Sequence, residues 1–286
     1  MLTDIFAERY ANRVIWPAYS EAEKKLLMQC YLLVEDILPY WSGEGKAIES
    51  AKKNWKSIHD RLCRELGLSE LGPLTYQYQL NGQTLTGWST LDQVCKNFVT
   101  APYDGTVTPD RFIKERLSFL ELAFRLRGEE LDEMNAELPV KTAAAELADA
   151  FKAHKAGVSG GTTAERIAAY NKSLNLNFGR SVAELNERLR RAGAKLNYHN
   201  GFIQIASDEL AEAQIEKPFW ALVAAPLWRN VDIDMKEAVD RRDANGKDPA
   251  LYAARALESV IKIISDKKGC GVAPIQPDRP RVENCG

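Results

Sequence analysis

The pair Thr108-Pro109 stands directly before RFIKERLSFLELAFRLRGEEL, and it constrains the fold more than any other stretch of the chain. A threonine hydroxyl accepts from an orphan amide at a helix start, and proline at the first helical position brings a φ already set for the helix. The stretch is therefore predicted as the strongest long helix of the N-terminal half, running to about residue 130. Related start chemistry recurs at Ser20/Glu23, Thr162/Glu165 and Ser181/Glu184, each a Ser or Thr with a glutamate three residues on that can reach back to it. After the first of these, Leu27, Cys30, Tyr31, Val34 and Leu38 repeat at helical spacing, which predicts one buried stripe over residues 20–40. A further helix is expected over residues 46–66.

Two interruptions predict hairpins near residues 75–88 and 195–205. Asn81-Gly82 and Asn200-Gly201 supply the positive φ angles of tight turns between alternating segments. Such ribbons are marginal alone and must pack on helices, so the expected fold class is mainly α with two small β-hairpins. Gly157, Gly160 and Gly161 mark a boundary near residue 160. The expected division is an N-terminal helical domain over 1–156 and a C-terminal region over 163–269 that includes a helical hairpin at 233–267. In that hairpin one helix covers Asp234 to Arg242, and the next starts with Asp248 as cap and Pro249 behind it. The second helix carries Leu251, Ala254, Leu257, Ile261 and Ile264 along one side, widened by Ala253, Ala256, Val260 and Ile263. So broad an apolar face needs covering, and self-association or a partner chain over residues 251–264 is expected. Residues 270–286 hold Pro274, Pro277 and Pro280 with little apolar content, and are expected to form an extended or disordered tail.

Composition excludes some function classes. Over 286 residues, 38 Lys+Arg against 40 Asp+Glu give a net charge of −2, so nucleic-acid contact, if made, uses a local patch. The N-terminus lacks the basic head and continuous apolar stretch of a signal peptide. The longest apolar run, Phe219 to Trp228, is broken by Pro226 and is about half of the ~20 residues that a membrane span requires. Five scattered cysteines, Cys30, Cys63, Cys95, Cys270 and Cys285, form neither a Cys-x-x-Cys nor a metal-ligand pattern. A cytoplasmic location with reduced thiols is expected.

No cofactor or metal signature is present. His59, His154 and His199 stand beside no nucleophile motif, and Gly157-Val-Ser-Gly-Gly-Thr-Thr lacks the Gly-Lys-Ser/Thr ending of a phosphate loop. Arg188, Arg190, Arg191 and Lys195 next to Tyr198 and His199 form a cation-plus-aromatic cluster able to hold single-stranded RNA. Solvation of a helix face explains the same residues. Arg241 and Arg242 fit a helix C-terminus, where cations meet the dipole, and are secondary RNA-binding candidates. Glu258 and Lys262 form an ordinary i,i+4 pair.

DIFAERYANR, PYDGTVTPDRFIKERLSFLELAFR and the stretch from Ser181 to Lys268 resemble the bacterial AbiJ-type abortive-infection family with the type-four AbiJ N-terminal domain. The resemblance implies an N-terminal domain joined to a helical domain related to the HEPN superfamily, whose active members are metal-independent ribonucleases in phage defence. There an arginine followed four to six residues later by a histidine sits on a late helix. The cation stabilises phosphorane charge while imidazole moves protons. No histidine of this chain has an arginine at that offset, so no catalytic residue is assigned. The resemblance further implies a HEPN-like domain cut short after Gly269, with Glu258 and Lys262 as remnants of its polar rim. The expected function is a non-catalytic binding or regulatory role in phage defence. The alternative is an endoribonuclease toxin completed by another chain or by unidentified residues.

Overall fold

The computed structural model describes residues 5–156, 163–206, 212–244 and 246–268. The 270–286 tail, Thr162 and the Gly157 to Gly161 stretch lie outside the described residues. The chain is mainly helical with two small two-stranded sheets, as its local patterns predict. In order it forms α1 (Phe6–Arg9), α2 (Glu21–Ile37), α3 (Glu49–Leu66), the antiparallel pair β1 (Thr75–Leu80) and β2 (Gln83–Trp88), and α4 (Leu91–Thr100). Then follow α5 (Pro109–Ala156), α6 (Thr163–Arg191), the antiparallel pair β3 (Leu196–His199) and β4 (Phe202–Ile205), α7 (Lys217–Val223), α8 (Arg229–Asp243) and α9 (Pro249–Lys267).

Local chemistry sets several of the boundaries. Ser20 caps α2 in a full capping box, its amide donating to Glu23 Oε2 at 2.8 Å. The Arg111 amide donates to Thr108 Oγ1 at 3.2 Å at the start of α5. Both hairpins turn where Asn-Gly demands it, with Asn81 and Gly82 at φ 51° and 78° and Asn200 and Gly201 at 44° and 91°.

Three expectations are corrected. Helix α5 does not stop near residue 130 but continues through Pro139 to Ala156. Proline costs the ladder one donor, and antiparallel packing against α6 compensates. The amides of Asn135 and Asn175 exchange hydrogen bonds at 3.0 Å, and Asp149 accepts from the amide and hydroxyl of Thr163. Ser181 starts no helix. It lies inside α6 and donates back to the Asn177 carbonyl at 3.2 Å, while Glu184 pairs with Arg188. Asp248 precedes α9 in the left-handed region, φ 55°, and makes no side-chain cap.

The main core centres on α5. Its Phe112, Ile113, Leu117, Phe119, Leu120, Ala123 and Phe124 pack with Phe6 of α1 and Tyr10 just after it, Leu27, Tyr31 and Val34 of α2, and Trp55 and Leu62 of α3. Leu185 and Leu189 of α6 and Tyr198 and Ile203 of the second hairpin join the same cluster, so one core draws on residues from both sides of the Gly-rich stretch. A second, smaller cluster joins Trp220, Val223, Val231 and Ala256 of α7, α8 and α9. The rings of Tyr31, Trp55 and Phe119 meet at the heart of the main core, with Trp55 5.9 Å from Phe119 and its Nε1 donating to the Leu38 carbonyl at 3.0 Å. Trp55→Ala empties that centre and strands a buried carbonyl, so it is expected to cost about 3–5 kcal/mol. Urea unfolding should show a lower midpoint with an unchanged m-value.

Candidate functional site

Charged residues interrupt the apolar face of α5 one helical turn apart. Glu121 and Arg125 stand on it among leucines and phenylalanines and are buried with them. Burying an ionised carboxylate is costly unless donors surround it, and Glu121 has them. Arg9 Nη1 and Nη2 donate to its two oxygens at 2.9 and 2.6 Å, Arg125 Nη2 donates at 2.7 Å, and the Ile203 amide of β4 donates at 2.8 Å. Burial pushes the Glu121 pKa up, but the charges of Arg9 and Arg125 outweigh it and hold the carboxyl below its ordinary value.

From this pair the network runs to α8. Arg9 Nε lies 2.9 Å from Asp240 Oδ2, and Asp240 Oδ1 accepts from Tyr10 Oη and Gln204 Nε2, both at 2.6 Å. One turn earlier, Lys236 donates to the Asn200 carbonyl at 2.7 Å and is ion-paired to Asp232. The Phe202 ring sits among the three cations, with Arg125 at 4.1 Å, Lys236 at 4.6 Å and Arg9 at 5.0 Å from its centroid. A ring face attracts cations, most strongly when they are desolvated. No motif or spacing in the sequence singles out any of these residues as functional. The one available signal is Glu121 and Arg125 at i,i+4 within the otherwise apolar run from Phe119 to Leu126.

A cleft of roughly 830 Å³ opens beside the network. Arg61, Arg125, Phe178, His199, Trp220 and Arg229 are among the residues that line it. His199 stacks on Trp220 with centroids 4.1 Å apart, and its Nδ1 is sealed from solvent with no hydrogen-bond partner among the described residues. Burial first, and then the charges of Lys236 and Arg9, hold its pKa well below the usual imidazole value. At neutral pH the ring is therefore uncharged.

The predicted basic cluster divides. His199 turns into the cleft, whereas Arg188 is ion-paired to Glu184 and Arg191 to Glu187 at 2.6 Å. Arg190 also bonds Glu187 at 2.8 Å, and the two arginines bring that carboxyl down to about 2. Lys195 is exposed just before β3. Arg241 bonds Glu237 at 2.7 Å and lies over the Tyr252 ring, and Arg242 bonds Asp243 at 2.8 Å. Glu258 and Lys262 pair at 2.8 Å and line a second pocket of roughly 360 Å³ with Arg255 and Asp234.

A further pairing escaped the sequence patterns. His59 and Cys63, four residues apart on α3, come together with Sγ 3.7 Å from Nε2. The imidazole is already engaged, Nδ1 with Asp60 and Nε2 with Glu70, both at 3.0 Å, and burial raises the Cys63 thiol pKa. An activated thiolate needs the opposite shift, so this is a brace between α3 and the following loop. The side chain of His154 lies outside the described residues. Among the described residues no group of His, Cys, Asp or Glu is arranged to hold a metal ion, and no helix is long and apolar enough to cross a membrane.

Asp240 gives the network a pH signature. Burial raises its pKa to about 6, only partly opposed by Arg9 and by the bonds from Tyr10 and Gln204. The folded chain therefore takes up this proton between about pH 6 and the ordinary aspartate range near 3.9, where the unfolded chain has not. That uptake stabilises the fold as pH falls through this window, offsetting the acid loss from Glu121 and His199, whose folded pKa values are depressed. Asp240→Asn removes the offset. Chemical denaturation between pH 7 and 4 should show a steeper acid loss of stability in the variant than in the parent chain.

The sequence profile described as AbiJ N-terminal domain 4 matches residues 4–221, a span that carries every residue of the main core and ends inside α7. No curated protein and no solved structure matches the chain. With most of its length covered by that profile, the chain belongs to the AbiJ N-terminal domain 4 family.

Proposed function

We propose that this protein acts in phage defence by abortive infection, as a binding or regulatory chain without catalytic activity of its own. Family membership supports the defence role. The observation that carries the non-catalytic part is the state of the two imidazoles among the described side chains. His59 is locked between Asp60 and Glu70, and His199 is stacked on Trp220 and held uncharged by burial and neighbouring cations. A general acid or base works best with its pKa near the operating pH, and that of His199 lies well below the usual imidazole value; neither ring stands on a helix four to six residues after an arginine. In this reading the HEPN-like part is the α8–α9 hairpin, with Glu258 and Lys262 as its polar rim. Arg188, Arg191, Lys195, Arg241 and Arg242 give a modest RNA-binding surface, and the chain works in the cytoplasm.

One observation favours the alternative, an endoribonuclease: Arg61, Arg125, Arg229 and His199 line a common cleft. Incubation of the purified chain with cellular RNA and a metal chelator separates the two. The proposed function expects intact RNA. Fragments with 2′,3′-cyclic phosphate ends that appear at high purity and vanish in His199→Ala would establish the ribonuclease instead.

Helix α9 bears on assembly. Ala256 is buried against α7 and α8, and Val260 and Ile263 pack on the same cluster, but Leu257, Ile261 and Ile264 on the other side remain largely exposed. Apolar patches of this kind mark interfaces, and we assign this one to self-association or a partner chain. Light scattering should show Leu257→Asp with Ile261→Asp reducing any association of the parent chain through this face.

A further inference from the structure

The first hairpin has no role in the reading above. From Thr75 to Trp88 it reads TYQYQLNGQTLTGW, without a single charged residue. All six residues of β1 are exposed, and β2 is exposed or half-buried throughout. The strands pair with each other and, among the described residues, with no third strand. Tyr76, Tyr78 and Leu80 share one face, each close to half exposed. The Tyr76 ring lies across Gly87, where an added Cβ would stand 2.6 Å from Cζ, so a larger residue at 87 would push the ring aside.

The ladder fixes which backbone groups are open. The Ser89 amide donates to the Leu74 carbonyl at 2.8 Å, which makes 74 and 89 a hydrogen-bonded pair. Because bonded and non-bonded pairs alternate along an antiparallel ribbon, the register Tyr76↔Gly87, Tyr78↔Leu85, Leu80↔Gln83 turns the even residues of β1 inward. The amides and carbonyls of Thr75, Gln77 and Gln79 therefore point away from β2, along an open edge. Natural sheets blunt such edges with lysine, proline or a bulge, and β1 has none of these.

We propose that β1 is an interface between two copies of this chain, pairing antiparallel with its own equivalent across a twofold axis through Gln77. The neutrality of the hairpin identifies the occupant. A nucleic acid finds no cation between Thr75 and Trp88, and a charged peptide finds no complement, whereas a second hairpin meets no repulsion. The register follows from the open groups. With the axis at Gln77, Thr75 faces Gln79 of the other copy and Gln77 faces itself, giving about six new backbone hydrogen bonds. The same register sets Tyr76 opposite Tyr78 of the other copy at non-bonded positions, where cross-strand side chains approach most closely. An axis one residue later would pair Thr75 with Asn81 in the turn. The contact is self-complementary and closes at two copies.

Cysteine cross-linking tests the register. Across a hydrogen-bonded pair the Cα atoms are about 5.5 Å apart, within the roughly 4.4–6.8 Å that a disulfide spans. In the full chain carrying Cys270→Ser and Cys285→Ser, Gln77→Cys should give a covalent dimer under mild oxidation at least tenfold faster than Gln79→Cys or Thr84→Cys. Gln77→Lys, which sets two like charges face to face at an exposed position, should raise the dimer dissociation constant at least tenfold in light scattering while leaving the monomer's circular dichroism unchanged. A chain that is monomeric at all concentrations overturns the proposal. So does equal cross-linking at the three positions, or a dimer abolished by Leu257→Asp with Ile261→Asp but unaffected by Gln77→Lys.

Discussion

The Glu121 carboxylate holds together three parts of the chain that share no local sequence. Its donors come from α1, from its own helix and from β4. A fully buried carboxylate with four donors is stable where one with fewer is not, because each lost donor leaves desolvation uncompensated. The entry of the chain, the long helix and the second hairpin are consequently committed to one arrangement. Arg9 and Arg125, brought in by Glu121, then set the charge around Phe202, and α8 completes it with Lys236 and Asp240.

That arrangement explains why the His199 imidazole is held uncharged despite its place in a cleft. The cations that neutralise Glu121, Asp232 and Asp240 also repel a proton from the imidazole, and stacking on Trp220 shields it from water. The cleft thus inherits its chemistry from a structural network. Its lining is aromatic and polar, with the cations Arg61, Arg125 and Arg229 at its wall.

Elements governed by neighbours in sequence were legible. Ser20 with Glu23, Thr108 before Pro109, and both Asn-Gly turns declare their geometry within four residues, and the structure has them where that chemistry requires. The length of α5 was not legible, since Pro139 argues for a stop while the packing along α6, marked by the contacts of Asn135 and Asp149, lies far off in sequence. Ser181 misleads for the complementary reason, as its hydroxyl serves the turn behind it instead of opening a new helix. The site was almost wholly hidden. Tyr10 and Asp240, or Arg9 and Ile203, lie some two hundred residues apart, and no periodicity links them. His199 is visible in the sequence as part of a basic and aromatic cluster, but its stack on Trp220 and the ion pairs of Arg188 and Arg191 are not.

The bond from Tyr10 to Asp240 crosses nearly the whole chain, which bears on biosynthesis. A ribosome adding roughly 5–20 residues per second exposes Arg9 and Tyr10 some tens of seconds before Asp240 emerges. Glu121 and Arg125 join Arg9 about halfway through that interval, Gln204 near its end, and Asp240 last. The last ionic closure of the buried network therefore waits until nearly the whole chain has been made, after the elements that carry its other members.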